Sequence, residues 1–292
     1  MNINYKDSST TEIDKLFERA IIGIDIPPCP IILERFMEEA GKDEPNYRYL
    51  ADIIEADVAI SASLIKTANS PFFGIRQRAR SVKEALAILG MEISSRAVAG
   101  IILRNTFPNM PNLERFWDSS TRIARLSGWL AQHYKIPGLL AEDAYTFGLF
   151  RDCGIPVLIK RFPQYNNVLA EANYDTERCF IEVEETELPT NHAMVGCLLA
   201  QSWWLPEEIF LAIRNHHDIE ALKTAGSDIP LLSHKLIAIS QLAEHILQHQ
   251  LGLCLTQEWT KLGDSCLKVM GVEQEQLDAL YAEVAHIVAL ED

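Results

Sequence analysis

The stretch Glu142-Asp-Ala-Tyr-Thr-Phe-Gly-Leu-Phe-Arg-Asp152 decides how this chain is to be read. It predicts a helix over Glu142–Phe150, broken by Gly154 and Pro156, because proline lacks an amide donor and clashes with the preceding turn. The helix delivers Asp152 at its end, next to the fixed cation Arg151. Two later stretches complete the pattern, Asn191-His-Ala-Met-Val-Gly196 and His216-His217-Asp218. A lone helical histidine is usually a hydrogen-bonded structural residue. Asp152, His192, His216 and His217, however, lie in separate helical segments, each beside a small residue or a helix end. An all-helical protein assembles a metal site in this way, from side chains converging off facing helices.

Outward from these stretches, helical periodicity dominates. Ile13, Leu16, Phe17, Ala20 and Ile21 make one apolar face, and Pro28 and Pro30 open a helix carrying Ile31, Ile32, Phe36, Met37 and Ala40. Tyr47, Leu50, Ile53 and Ile54 mark a third helix, and Asp57 starts a fourth. Ser81 and Glu84 form a capping box, and Gly90 is expected to end the helix that follows. A long helix runs from Leu113 to about Tyr134. Further helices are expected at 164–173, 192–203, 206–217 and 230–250, with two more after about 256. No stretch alternates like a strand. The fold class is therefore all-α. The turn-rich Asn109-Met-Pro-Asn112 divides it into parts at 1–110, 111–252 and 253–292.

The chain has 292 residues, 48% of them hydrophobic, enough for a substantial core. Its net charge is −15, with 41 acidic against 26 basic residues. Such a surface repels phosphate backbones, so no nucleic-acid partner is expected. The six cysteines form no C-x-x-C pair and read as reduced thiols of a cytoplasmic protein. No signal peptide is seen, and the longest apolar run, Ala97–Leu103, falls short of a membrane span, so no membrane partner is expected.

Taken in order, the motifs resemble those of the HDOD family, the HD-related output domains of bacteria, over roughly residues 25–250. The resemblance rests on Pro27-Pro-Cys-Pro30, Ile54-Glu-Ala-Asp57, Ala68-Asn-Ser-Pro-Phe-Phe-Gly74 and Ala85-Leu-Ala-Ile-Leu-Gly90. It continues through Phe116-Trp117, Gly148-Leu-Phe-Arg-Asp152, Asn191-His-Ala-Met-Val-Gly196, Trp204-Leu-Pro206 and Ile213-Arg-Asn-His-His-Asp218. It implies an HD-like helical domain with an HDOD-specific N-terminal helical half.

Relatives with activity hold one or two metal ions with a His, a His-Asp pair, further histidines and a late Asp. Against that pattern, Ser119 stands at the first His position, Arg151 at the His of the pair, and Gln241 at the late Asp. Asp152, His192, His216 and His217 remain. Arg151 cannot deprotonate and repels a metal from the first shell. Pairing with a carboxylate would instead let it take over the metal's electrostatic role, with Asp152 or Asp218 as the expected partner. Adjacent His216 and His217, about 100° apart on a helix, are not expected to share one ion. The resemblance and the ligand loss together imply a degenerate pocket, no metal or other cofactor, and a non-catalytic regulatory module that binds another signalling protein. The alternatives are a metal-dependent phosphohydrolase acting on nucleotides or cyclic dinucleotides, and a pocket that binds a small anionic ligand through Arg151. No receiver, cyclase or kinase module is read in the chain, so its input is expected through a separate molecule.

Other motifs have plainer readings. Asn69 and Ser70 read as a helix C-terminus, where asparagine tolerates a left-handed backbone. The run Glu182–Glu187 reads as a solvated face, or else a docking patch for a basic partner. Arg76, Arg78 and Arg80 read as a solvated loop, or else the best local anion site. An exposed Trp203-Trp204 pair would mark a partner surface.

Overall fold

The computed structural model describes residues 24–70, 78–107, 113–223, 229–252 and 255–289, and every regular element among them is a helix. Expectations for Ile13–Ile21, Phe72, Phe73, Arg76, Asn109–Asn112 and Cys254 lie outside the described residues. The N-terminal half comprises α1 (Ile31–Ala40), α2 (Tyr47–Glu55), α3 (Val58–Ala68) and α4 (Val82–Thr106). The larger half begins with α5 (Leu113–Tyr134), α6 (Ala141–Phe150), α7 (Gly154–Arg161), α8 (Tyr165–Tyr174) and α9 (Phe180–Glu187). It continues with α10 (His192–Ser202), α11 (Glu207–Asn215), α12 (Ile219–Lys223) and α13 (Leu231–Leu251). The chain closes with α14 (Glu258–Met270) and α15 (Gln276–Ala289).

Local chemistry explains most of the boundaries. Asn46 and Asp57 cap α2 and α3 by accepting from backbone amides of their first turns. Ser81 Oγ accepts from the Glu84 amide at 3.2 Å, but Glu84 reaches back to the Arg80 amide, so the expected capping box is displaced by one residue. Nor does Gly90 end its helix. It breaks α4 at φ 72°, ψ 173°, and the helix resumes at once and runs to Thr106. By length and composition α4 alone, among the described helices, could cross a membrane, but half of its apolar window is buried within the fold.

Asn69 ends α3 with φ −87°, not in the left-handed region. Its side chain instead clamps both polar groups of Ala79, Oδ1 accepting from the amide at 2.7 Å and Nδ2 donating to the carbonyl at 2.9 Å. This fixes the approach of α3 to the start of α4. Trp203 is fully buried and donates its indole N–H to the Pro27 carbonyl, tying the N-terminal segment to the larger half. Trp204 is exposed at φ 57°, so the two tryptophans do not form an exposed pair.

One apolar core runs through both halves, from Phe36 of α1 and Ile102 of α4 to Leu130 of α5, Phe147 of α6 and Ile237 of α13. It continues into the C-terminal helices through Leu262, Cys266, Leu277 and Leu280. α13 is the central helix, packing on α5, α6, α11, α14 and α15. Among the described residues Cys29, Cys153, Cys179, Cys197 and Cys266 are free thiols.

Candidate metal centre

Three backbone segments converge on one point. Asp152 sits in the turn between α6 and α7. His192 opens α10, whose first turn is fixed by the Asn191 cap accepting from the Met194 amide at 2.7 Å. α7 and α10 cross so closely that a Cβ on Gly154 would lie 2.8 Å from the Gly196 amide nitrogen, well inside contact. That near approach seats the start of α10 against the Asp152 turn. His216 caps the C-terminus of α11, and His217 lies in the turn beyond it.

Because the helix has ended, the two rings escape the helical spacing expected of them. The Nε2 atoms of His216 and His217 both face His192 Nε2, at 3.2 Å each. Asp152 Oδ1 lies 3.2 Å from His216 Nε2 and 3.6 Å from His192 Nε2. All four donor atoms lie within 4.8 Å of one another. The expectation that helical spacing holds the His216 and His217 rings apart is thus corrected.

Each imidazole is held from behind. His192 Nδ1 donates to Glu184 Oε2 at 2.7 Å, and that oxygen also accepts from the His192 amide at 3.1 Å. Tyr165 donates its hydroxyl to the other Glu184 oxygen. His216 Nδ1 donates to the Ile213 carbonyl at 2.6 Å, and His217 Nδ1 to Glu258 Oε2 at 2.5 Å. Lys261 holds the second oxygen of Glu258 at 3.0 Å. A carboxylate or carbonyl can only accept, so each Nδ1 carries a proton, which leaves the neutral ring's Nε2 with a lone pair. Three imidazole lone pairs and a carboxylate oxygen then point at one another, an arrangement that a cation satisfies. This backing of ligand histidines by acceptors is the usual outer shell of a metal site.

The electrostatics favour a neutral His216 and an ionised Asp152, whereas His192 is drawn toward its charged form. Burial, reinforced by the neighbouring His217, pushes His216 down to about 3, so it stays neutral. Burial also opposes the charged form of His192, but the Glu184 carboxylate outweighs it and raises that ring. Burial disfavours the Asp152 carboxylate too, yet Arg151 and the imidazoles hold it well below the usual range. Glu258 is held down to about 2 by His217 and Lys261 against the cost of burial.

Arg151 stands beside this cluster, not inside it. Its Nε donates to Asp152 Oδ2 at 3.0 Å, leaving Oδ1 to the histidines. Its Nη2 donates to Glu244 at 2.5 Å, and Ser240 lies 3.5 Å from Nη1. Burial raises Glu244 despite the guanidinium. The expected contact with Asp152 is present. Asp218 is not its partner, because that side chain accepts from the Ala221 amide at the start of α12. Gln241 also differs from expectation. Its amide nitrogen is buried on α13 without a hydrogen-bond partner, and α13 meets the site through Ser240 and Glu244. Ser119 lines the cavity of about 630 Å³ in front of the cluster, together with Arg151, Asp152, His217 and Glu244.

Glu184, Glu244, Glu258 and Tyr165 were missed in the sequence. Glu184 belongs to the acidic run read as a solvated face, yet it is fully buried. The signal was present: Phe180, Val183 and Glu184 fall at i, i+3 and i+4, one face of a helix.

Comparison with known proteins bears on the fold and the family. The family model for the HDOD domain matches residues 26–219. An uncharacterized protein of Treponema pallidum (strain Nichols) is 27% identical over 199 residues, covering 67% of this chain and 38% of that protein's length. The crystal structure of an HDOD domain protein of unknown function from Geobacter sulfurreducens superposes with a TM-score of 0.63 at 20% identity, covering 94% of this chain and 98% of that one. A protein of Shewanella amazonensis SB2B, provisionally assigned as a phosphohydrolase, gives 0.67 at 18% identity over 92% and 93%. A protein of Marinobacter aquaeolei VT8, provisionally assigned to signal transduction, gives 0.67 at 19% identity over 95% of this chain and 62% of that one. With the family match spanning about two thirds of its length, the chain belongs to the HDOD family.

Proposed function

We propose that this HDOD protein is a regulatory module that acts by binding another signalling protein and does not hydrolyse phosphoesters. The observation that carries the reading is Arg151, whose guanidinium bridges Asp152 Oδ2 and Glu244. A fixed cation there neutralises the carboxylates that a second metal ion would need. The provisional names of the Marinobacter and Shewanella proteins fit a regulatory descendant of a hydrolase fold.

Asp152, His192, His216 and His217 would hold one divalent cation. Their closest separations are 3.2–3.6 Å and all four donor atoms lie within 4.8 Å of one another, near enough to share one ion. Bound there, the ion supplies the positive charge that lets four lone pairs face one another. A cation held there would tie the Asp152 turn, α10 and the end of α11 together.

Elemental analysis and metal titration of the purified protein test this. One equivalent of divalent metal is expected, absent in His192→Ala and bound about 10–100-fold more weakly in Glu184→Gln, which loosens the ring from behind. Turnover of a nucleotide or cyclic dinucleotide by the metal-loaded protein, abolished by His192→Ala, would show the phosphohydrolase reading to be the right one.

A further inference from the structure

The turn that closes α10 carries an unusual residue. The Leu205 amide donates to the Ala200 carbonyl at 3.0 Å and the Trp204 amide to the Gln201 carbonyl at 3.1 Å, the paired bonds that end many helices. The left-handed position of that motif is ordinarily filled by glycine. Here it is Trp204, at φ 57°, where a bulky side chain is an outlier. Core packing does not explain the choice, because Trp204 is 56% exposed while its neighbours Trp203 and Leu205 are buried. Strain kept without a packing gain points to a use outside the fold.

Trp204 lines two adjoining hollows. One, of about 440 Å³, is formed with Glu34, Met37 and Glu38 of α1. The other, of about 220 Å³, shares Met37 and is mostly apolar, with Ala40, Met91, Leu205 and Pro206 on its wall. Among the described residues Arg96 is the single cation lining either hollow, and it is held by Glu92 at 2.7 Å and Asp143 at 2.6 Å. Lys42, which also interacts with Glu38, is paired with Glu39 at 2.5 Å, and neither it nor Arg35 lines a hollow. Glu34 and Glu38 enter no ion pair among the described residues. They stand at i and i+4 on the exposed face of α1, a spacing at which like charges repel.

We propose that this face docks a segment of a partner protein that presents a lysine or arginine beside an apolar side chain. The cation sits against the Trp204 indole, whose face attracts positive charge, and between Glu34 and Glu38, whose mutual repulsion it relieves. The apolar neighbour enters the second hollow, where Met37 and Met91 can adapt to its shape. A second copy of the chain is a poorer occupant, because each copy carries a net charge of −15. The proposal rests on the reading of the protein as a protein-binding module, and adds where the partner sits and what it must present.

Short random peptides displayed on phage, panned on the full chain after removal of those that bind Trp204→Gly, test the proposal. The enriched peptides should carry Lys or Arg beside Leu, Ile, Met or Phe. Their binding, read by fluorescence anisotropy, should weaken about tenfold in Glu34→Gln/Glu38→Gln. It should be unchanged in Glu273→Gln/Glu275→Gln, which removes the same charge from exposed residues elsewhere. Because glycine suits the left-handed position, Trp204→Gly should melt no lower than the parent. The proposal is overturned if no peptide is enriched, if the enriched peptides lack a cation, or if the two glutamate pairs act alike. A markedly lower melting temperature for Trp204→Gly also overturns it, by making the ring a structural residue. So does a dimer of the parent that Trp204→Gly dissociates, since the occupant is then a second copy. The metal and turnover measurements that test the regulatory reading do not involve this face, so the two proposals fail separately.

Discussion

At Arg151, one guanidinium holds two carboxylates in a buried setting, and its energetic role differs from its functional one. Removing one partner of a buried ion pair leaves an uncompensated charge, at a cost of about 3–5 kcal/mol. Arg151→Ala should therefore destabilise the protein by that order, because Glu244 is left buried and without its cation. The double variant Arg151→Met/Glu244→Leu should recover most of the loss, since an apolar pair of similar volume is often as stable as the ion pair it replaces. Urea denaturation of the two variants measures both. A single variant that loses less than about 1 kcal/mol would mean the pair is largely solvated. The sequence showed the Arg at this position and offered Asp152 or Asp218 as its contact. It did not show Glu244, because only the packing of α13 against α6 decides which turn of α13 faces Arg151.

Among the elements, α7 and α10 matter most to the site, because their close crossing seats His192. Gly154→Ala adds a methyl group where the His192 carbonyl and the Gly196 amide already stand. Backbone cannot yield as a side-chain tip can, so the helices must separate, at a cost of about 1–3 kcal/mol. The shift also moves His192 off the point shared with His216 and His217. Thermal melts should show the lost stability, and metal titration should show a weaker site, whereas an intact site in a destabilised protein would show that the crossing does not position the ring. Most element boundaries were legible, since caps, prolines and apolar spacing act locally. The end of α11 shows the limit. Treating His216 and His217 as helical kept their rings apart, and a helix that ends two residues earlier, at Asn215, brought them together.

For the molecule as a whole, the C-terminal helices are part of the fold and part of the site. They were expected only as an extension, yet α14 supplies Glu258 behind His217 and its apolar face joins the common core. Their attachment to α13 includes His245, stacked on Trp259 with ring centres 4.2 Å apart and 2.7 Å from the Tyr281 hydroxyl. Burial, with His249 nearby, pushes His245 down to about 4. The unfolded chain takes up this proton near 6.5, so the contribution is fully present above that pH and is lost as pH falls toward 4. The buried His216 acts with the same sign, and His192, raised by Glu184, with the opposite one. The melting temperature of the parent should therefore fall more steeply between pH 6.5 and 4 than that of His245→Phe, which keeps a ring but cannot titrate. Parallel curves would remove His245 from the account. The all-helical class and the family were legible from spacing and motif order. The carboxylates behind the histidines were not, because an acidic residue on a helix looks solvated until its neighbours in space are known.

The break in α4 carries one more implication. At Gly90 a Cβ would meet nothing within 4 Å, so the backbone dihedrals, not crowding, exclude other residues there. Its angles fall where essentially only glycine is found among natural residues. Their mirror image, however, is ordinary extended backbone. A residue of the opposite hand such as D-alanine, placed at position 90 by chemical ligation, would adopt the native angles without dihedral strain. It would also narrow the choices of the unfolded chain, raising stability by about 0.4–1 kcal/mol, whereas L-alanine at the same atom count would lower it.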